Sequence, residues 1–145
     1  MHKLLEQFVE NISDAILVSD KEGIIRFWNS GAELIFGFTA TEAIGRSLDL
    51  IIPEPLRKRH WEGFRRVMAT GETKYKTSLL SSPGISKSGS RISLEFSMLL
   101  LHDENGELAG CASIMRNVNE RFIKDKELRE RLTVCEKELA SHRSS

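Results

Sequence analysis

Chemistry in this chain has few residues to rest on. The four histidines, His2, His60, His102 and His142, are scattered without the close spacing of a zinc site. The two cysteines, Cys111 and Cys135, lie in unlike contexts. A disulfide framework is not expected, and a reducing cytoplasm is the expected compartment. One histidine stands in a pattern: His60, in the run Leu56-Arg57-Lys58-Arg59-His60-Trp61-Glu62-Gly63-Phe64, with Phe64 and Val67 four and seven positions on. That spacing places His60 on the apolar face of a helix. Such a side chain can offer a neutral ring nitrogen to a metal while its other N–H is held by a carbonyl or water. The alternative is a helix histidine that only packs. Glu62 makes no acid–base pair with it, because adjacent helical residues point about 100° apart. No Gly-rich phosphate loop follows a strand and no nucleophile elbow occurs. The sequence therefore reads as a binding or interaction protein, not an enzyme.

The whole chain bounds what can position that histidine. Its 145 residues, 40% apolar and 29% charged, suffice for one domain with one core. Lysine plus arginine number 21, as do aspartate plus glutamate, so no net charge draws the chain to nucleic acid or an anionic membrane. Apolar runs such as Met98-Leu99-Leu100-Leu101 fall far short of the roughly 20 residues that span a bilayer. The acidic and polar N-terminus does not read as a signal peptide. Arg57-Lys58-Arg59 with Arg65-Arg66 reads as a solvated helix face.

The predicted elements alternate in type. Leu5, Phe8, Val9 and Ile12 form one stripe of a short amphipathic helix over residues 1–12. Ala15–Asp20 and Ile24–Asn29 then read as a hairpin around Lys21-Glu22-Gly23. Two capping-box spacings follow, Ser30-Gly31-Ala32-Glu33 and Thr39-Ala40-Thr41-Glu42, each stopped by a glycine, Gly37 and Gly45. A longer helix runs from Pro55 and Leu56 to about Ala69, ended by Gly71. Three strands are expected next: Lys74–Ser81, then a loop holding Pro83-Gly84 and Ser88-Gly89, then Arg91–His102, then an Asn105-Gly106 turn and Leu108–Asn117. Within Arg91–His102, Ile92, Leu94, Phe96, Met98 and Leu100 alternate with Ser93, Glu95 and Ser97, giving an apolar and a polar face. From about Asn119 the pattern is helical, with Leu128, Leu132, Cys135 and Leu139 at spacings of four, three and four, a narrow coiled-coil seam. About two heptads are too short to hold an isolated helix, so a twin or a longer protein is expected to cover it. Cys135 lies in that seam; Cys111 reads as a small buried hydrophobe.

Two strands, short helices and three strands predict an α+β domain, one antiparallel sheet with helices over one face. Asn29-Ser30-Gly31-Ala32-Glu33-Leu34-Ile35-Phe36-Gly37-Phe38 and Glu42-Ala43-Ile44-Gly45-Arg46 resemble the N-terminal signature of PAS domains. Ser88-Gly89, Leu94-Glu95-Phe96-Ser97 and Ile114-Met115-Arg116-Asn117-Val118 resemble their C-terminal half. The resemblance runs from about Ile12 to Asn119 and implies a five-stranded antiparallel sheet of order 2-1-5-4-3. It divides the chain into a cap helix over 1–12, a PAS domain over 13–119 and a lever helix over 120–145. PAS domains are sensory modules, many of them bacterial, that bind haem, flavin or small metabolites, or merely dimerise, and pass the signal through flanking helices to an output domain. The implied chain is a homodimer with an output partner, either a fragment of a receptor or a free-standing subunit. The family often closes its last strand with Asp-Ile/Val-Thr; here the relay positions are Asn117-Val118-Asn119, which keep hydrogen-bonding capacity but lose the charge.

The segment around His60 is similar to haem-binding PAS domains of oxygen-sensing kinases and phosphodiesterases. That similarity implies haem b with His60 as proximal ligand, Arg66 and Lys74 facing the propionates, and Phe64, Val67, Leu94, Phe96, Met98 and Ser113 around the pocket. Met98 could supply a soft sixth ligand. The oxygen-gripping distal arginine of such sensors falls at Leu80, which removes that donor. Light-sensing flavin PAS domains carry a reactive cysteine before the long helix; Gly45-Arg46-Ser47-Leu48-Asp49-Leu50 has none, leaving only a non-covalent flavin. Two functions stay open: a small-ligand sensor relaying through its last helix, or a cofactor-free dimerisation domain whose pocket is filled by its own side chains.

Overall fold

Where the polypeptide turns from one period to another, the structure changes element. The computed structural model describes residues 1–72 and 79–143. Along them run helix α1 (His2–Asn11), strands β1 (Ala15–Asp20) and β2 (Ile25–Trp28), helices α2 (Ser30–Phe36) and α3 (Ala40–Ala43), a 3-10 turn at Leu48–Ile51, helix α4 (Glu54–Thr70), strands β3 (Leu80–Ile85), β4 (Arg91–His102) and β5 (Leu108–Asn117), and helix α5 (Asn119–Arg143). The strands form one sheet of order β2-β1-β5-β4-β3, every neighbouring pair antiparallel. The expected α+β architecture and strand order hold.

Three local expectations change. Ser30 does not cap α2: Asn29 does, its side chain accepting from the Ala32 amide. Glu33 instead reaches forward and accepts from the Ala40 amide at 2.8 Å. Asparagine at the N-cap leaves Ser30 free to begin the helix. Second, Pro83-Gly84 belongs to strand β3 and not to a loop. β3 is the edge of the sheet, where a proline's missing N–H costs no ladder bond. A side chain at Gly84 would come within 2.6 Å of Leu94 Cδ1, so the glycine serves close packing. The expected start of that strand, Lys74 to Ser78, lies outside the described residues. Third, the 3-10 turn Leu48–Ile51 buries Leu48 and Ile51, a role its short length hid. The second capping box is present as expected, Thr39 with Glu42. Glu42 also takes the Lys87 ammonium at 2.6 Å, which with the Thr39 amide lowers its pKa to about 2.

The sealed part of the core lies over β1 and β2. Trp28 and Phe36, both fully buried, meet with ring centroids 5.5 Å apart, and the Trp28 indole N–H donates to the Phe38 carbonyl at 2.9 Å. Each such aromatic contributes about 1.5–3 kcal/mol by leaving water. Ala15, Leu17, Ile25, Ala32, Ala43, Leu48, Ile51, Ile92, Leu94 and Met115 complete it.

Two polar residues, Ser19 and Asn29, are buried with that cluster, and the second is the more heavily bonded. Asn29 is fully buried, and its Oδ1 accepts from the amides of Ile16 at 2.8 Å and Ala32 at 2.9 Å. Its Nδ2 donates to the carbonyls of Val9 at 2.8 Å and Asp14 at 3.1 Å, with Ile12 at 3.4 Å. One side chain thus ties the end of α1 to β1 and the start of α2. Gly31 follows because a Cβ there would collide with the Asp14 carbonyl. Replacing Asn29 by Ala orphans buried donors and acceptors at once, each costing about 1–3 kcal/mol. Asn29→Ala is expected to lower the unfolding free energy by about 3 kcal/mol or more, read from the urea midpoint at unchanged slope; a loss under about 1 kcal/mol would refute the knot.

Candidate functional site

Helix α4 is held by polar contacts at its first half. Pro55 sits in its first turn and Gly71, in the left-handed region, ends it. Arg57 Nε donates to the Ile52 carbonyl at 3.0 Å and Nη2 to the Asp49 carbonyl at 3.3 Å. The Trp61 indole N–H donates to Asp49 Oδ1 at 2.7 Å. Its ring lies on Gly23, where any Cβ would strike it. The Arg57–Asp49 ion pair, at 3.9 Å and largely exposed, adds little. Asp49, Arg57 and Trp61 were not legible as a site, because Asp49 belongs to the unanticipated 3-10 turn.

His60 lies between these anchors and the rest of the helix. Its ring centroid is 4.8 Å from Trp61 and 5.8 Å from Phe64. Nδ1 is shut off from solvent and has no hydrogen-bond partner among the described residues. Burial lowers the His60 pKa below its ordinary 6.5, and the Asp49 charge opposes the shift. The ring is thus neutral near pH 7, with a nitrogen that a bound group could satisfy.

The inner sheet face grades from closed to open. Register aligns Leu80, Phe96, Met115 and Ala15 in one row, and Met98, Ser113, Leu17 and Trp28 in the next. Ile92, Leu94 and Met115 are buried, whereas Leu80, Phe96, Met98, Leu100 and Ser113 are half-buried. No residue of α4 is buried; His60, Phe64, Val67 and Met68 are all half-buried. Arg66 is exposed, and six residues from His60 it points away from that face. Lys74 lies outside the described residues. Cys111 is buried in the same sheet, and burial raises its thiol pKa, so it stays a protonated packing residue.

The strand–helix junction is bonded without a charge. Asn117 Oδ1 accepts from the Asn119 amide at 2.9 Å. Asn119 Oδ1 in turn accepts from the Ser93 amide of β4 at 2.6 Å, and the Val118 amide donates to the Ser93 carbonyl at 2.8 Å. Two asparagines therefore fasten α5 to β4. Beside them Arg116 pairs with Asp14 at 3.1 Å, so the starts of β1 and α5 share one end of the sheet. Further out, the seam residues Leu128, Leu132 and Leu139 are 61%, 61% and 58% exposed, and Cys135 is exposed too.

An antiparallel five-stranded sheet of this order, with short helices over one face and a helix leaving its last strand, defines a PAS-like α+β class. The family model described as the PAS fold matches residues 9–122, and the chain belongs to that family. Among curated relatives, the sensor protein FixL of Bradyrhizobium diazoefficiens is 37% identical over 47% of this chain, a stretch equal to 14% of its own length. The oxygen sensor protein DosP of Escherichia coli is 28% identical over 61% of this chain and 11% of its own length. The chain thus spans a small part of these relatives. Among solved structures, a PAS domain from Colwellia psychrerythraea superposes with a TM-score of 0.71 at 20% identity, covering 82% of this chain and 98% of that one. An RNA-binding light-oxygen-voltage receptor gives 0.74 at 19% identity over 92% of this chain and 37% of its own. Both likenesses concern the fold.

Two outcomes follow from this geometry. Because the folded pKa of His60 is depressed, the stability it permits is present in full above the unfolded value of 6.5 and is lost as pH falls toward the folded pKa. His60→Phe should flatten the fall of the urea midpoint between about pH 7 and about pH 5; an unchanged slope would contradict the buried neutral ring. Asn119→Ala should strand the Ser93 amide and cost about 1–2 kcal/mol. Amide exchange should quicken at Ser93 and the start of α5 while β1 stays protected; uniform protection in the variant would show the junction bond idle.

Proposed function

We propose that this chain is a sensory PAS module that takes a small ligand or cofactor between α4 and the open part of the sheet and relays its presence through β4 and β5 to α5. One observation carries this reading: α4 buries none of its residues, and Phe96, Met98, Leu100 and Ser113 of the sheet are only half-buried, while the β1–β2 side of the same core is closed. A small apolar molecule entering there removes that surface from water. α4 is anchored mainly through Arg57 and Trp61, so its second half is free to adjust to a guest. Ser93, joined to Asn119, shares strand β4 with Phe96 and Met98, which gives the relay its route. A sensor role agrees with the likeness to the sensor protein FixL and the oxygen sensor protein DosP.

A second reading, haem b, is favoured by the unpartnered His60 Nδ1 and the neutral state of that ring. His60 fits as the iron's protein ligand, with Phe64 and Phe96 as apolar walls. Arg66, exposed on the far side of α4, does not fit as a propionate partner, and Leu80 gives no hydrogen bond to a bound gas. Haem would supply a gas- or redox-responsive iron; the chain would hold it through His60 and keep water from it with Phe64, Phe96 and Met98.

Native mass spectrometry and an absorption spectrum on freshly purified chain test both readings. A retained mass, or a melting temperature raised by a small-molecule set, supports the sensor. A bare polypeptide and an unmoved melt across the set leave a cofactor-free interaction domain. Hemin titration should give an intense band near the blue end that His60→Ala weakens; a spectrum indifferent to that substitution ends the haem reading alone.

A further inference from the structure

Helix α4 stands off from the rest of the chain. Its backbone makes no extended approach to any other described element, so beyond its covalent start its side chains fix its position. Arg57 bonds to carbonyls near that start. Trp61 is the last of its side chains, among the described residues, to hydrogen-bond outside the helix. Nine residues follow it to the end at Thr70, an arm of about 13 Å.

Trp61 joins the seat of the helix to the rings of the proposed site. Its indole N–H donates to Asp49 Oδ1 at 2.7 Å, a charge-assisted bond. The Cη2–Cζ3 edge of its ring lies on Gly23, where a Cβ would strike it. The Gly23 carbonyl accepts from the Leu48 amide at 3.0 Å, so the β1–β2 turn and the 3-10 turn form one seat. The same indole meets His60 and Phe64 edge to face, at centroid distances of 4.8 and 5.2 Å.

We infer that Trp61 is the latch of the proposed site: seated on Gly23 and bonded to Asp49 it holds α4 in place while the site is empty, and a guest that shifts His60 and Phe64 releases it. Close-packed rings transmit displacement to one another, and the 2.7 Å bond is lost past about 3.5 Å. Latched and released helix are therefore two states, not a continuum. A guest binds the released state, so its apparent affinity is reduced by the small fraction of molecules in which the latch is off. Trp61 acts through its neighbours and is a positioning residue. The guest is that of the sensor reading, on which the latch rests; the contacts of the latch exist in the empty domain and are measured there.

The test uses the full chain with 8-anilinonaphthalene-1-sulfonate as an apolar probe. Trp61→Phe keeps a ring near Gly23 and removes the donor. It should quicken amide exchange from Phe64 to Thr70 about tenfold, leave β1 protected, and lower the probe's dissociation constant about three- to tenfold. A contact that merely stabilises the fold would leave that affinity unchanged or weaken it. Asp49→Asn, which keeps an acceptor without the charge, should fall between the two chains. Gly23→Ala should also tighten binding, because the new Cβ unseats the ring. Gly106 has the same left-handed backbone, φ 81° against 79°, with open space where its Cβ would stand; Gly106→Ala shares the strain and should leave affinity alone. On binding, the Trp61 indole proton should exchange faster with water, while that of Trp28, bonded to the Phe38 carbonyl, stays protected. Equal or weaker probe binding by Trp61→Phe, unchanged exchange along α4, or equal effects of the two glycine substitutions overturn the latch. A probe that shifts no amide of Phe96, Met98 or Ser113 in either chain removes support from the sensor reading. Exchange then decides the latch alone, quickened exchange upholding it and unchanged exchange overturning it.

Discussion

The fold turns on one buried carboxamide. Asn29 lies where α1, β1 and α2 meet, and each of these brings unsatisfied backbone groups inward. Burying them without partners would cost several kcal/mol together. An amide alone among small side chains offers two donors and an acceptor with two lone pairs. Aspartate would match the amides but repel the carbonyls of Val9 and Asp14. Serine would reach one partner. The surrounding Trp28, Phe36 and Ile25 exclude water, so the bonds have no competitor, and the apolar core and the polar knot specify the same arrangement.

That closed region makes the open one intelligible. Half of the domain is fixed by apolar burial and Asn29, while α4 is fixed by Asp49, Arg57, Trp61 and the glycine beneath its ring. Hydrogen bonds at half-exposed positions contribute about 1 kcal/mol each, far less than a sealed hydrophobic face. The second half of α4, which buries none of its residues, is therefore held less firmly than the β1–β2 side of the core. On the sheet, Phe96, Met98 and Ser113 are half-buried at the middle of its two longest strands. In the proposed relay a guest there would push on the same strand whose Ser93 holds Asn119.

Much of this was written in period and spacing, and the failures have physical causes. Alternation over Arg91–His102 gave the strand at its true bounds, because one buried face imposes a period of two. The Thr39–Glu42 box was readable since both partners lie within one turn. Ser30 misled for the opposite reason. It satisfies the same local spacing, and only the burial of Asn29 among distant carbonyls decides which residue caps α2. Pro83-Gly84 reads locally as a turn; that β3 is an edge strand is a property of the sheet, not of the dipeptide. Asp49 was missed because its partners are eight and twelve residues away on a helix whose docking no periodicity records. His60 was legible as a helix-face residue, whereas its lack of a hydrogen-bond partner is a fact of three dimensions.

The two ends of the proposed relay differ in what they respond to. At the proposed sensing end burial lowers the His60 pKa, and its Nδ1 has no hydrogen-bond partner among the described residues, so a polar group brought beside it would act on a neutral ring. At the output end the family's aspartate is replaced by Asn117, and the bonds joining β4 to α5 run between amides, a hydroxyl-bearing residue's backbone and no ionisable group. Such bonds neither titrate nor weaken with salt. Among the described residues the ion pair beside that junction is Arg116–Asp14, exposed on the arginine side and open to screening. An uncharged junction therefore need not be a loose one: its bonds run between neutral groups that do not respond to the protonation of His60.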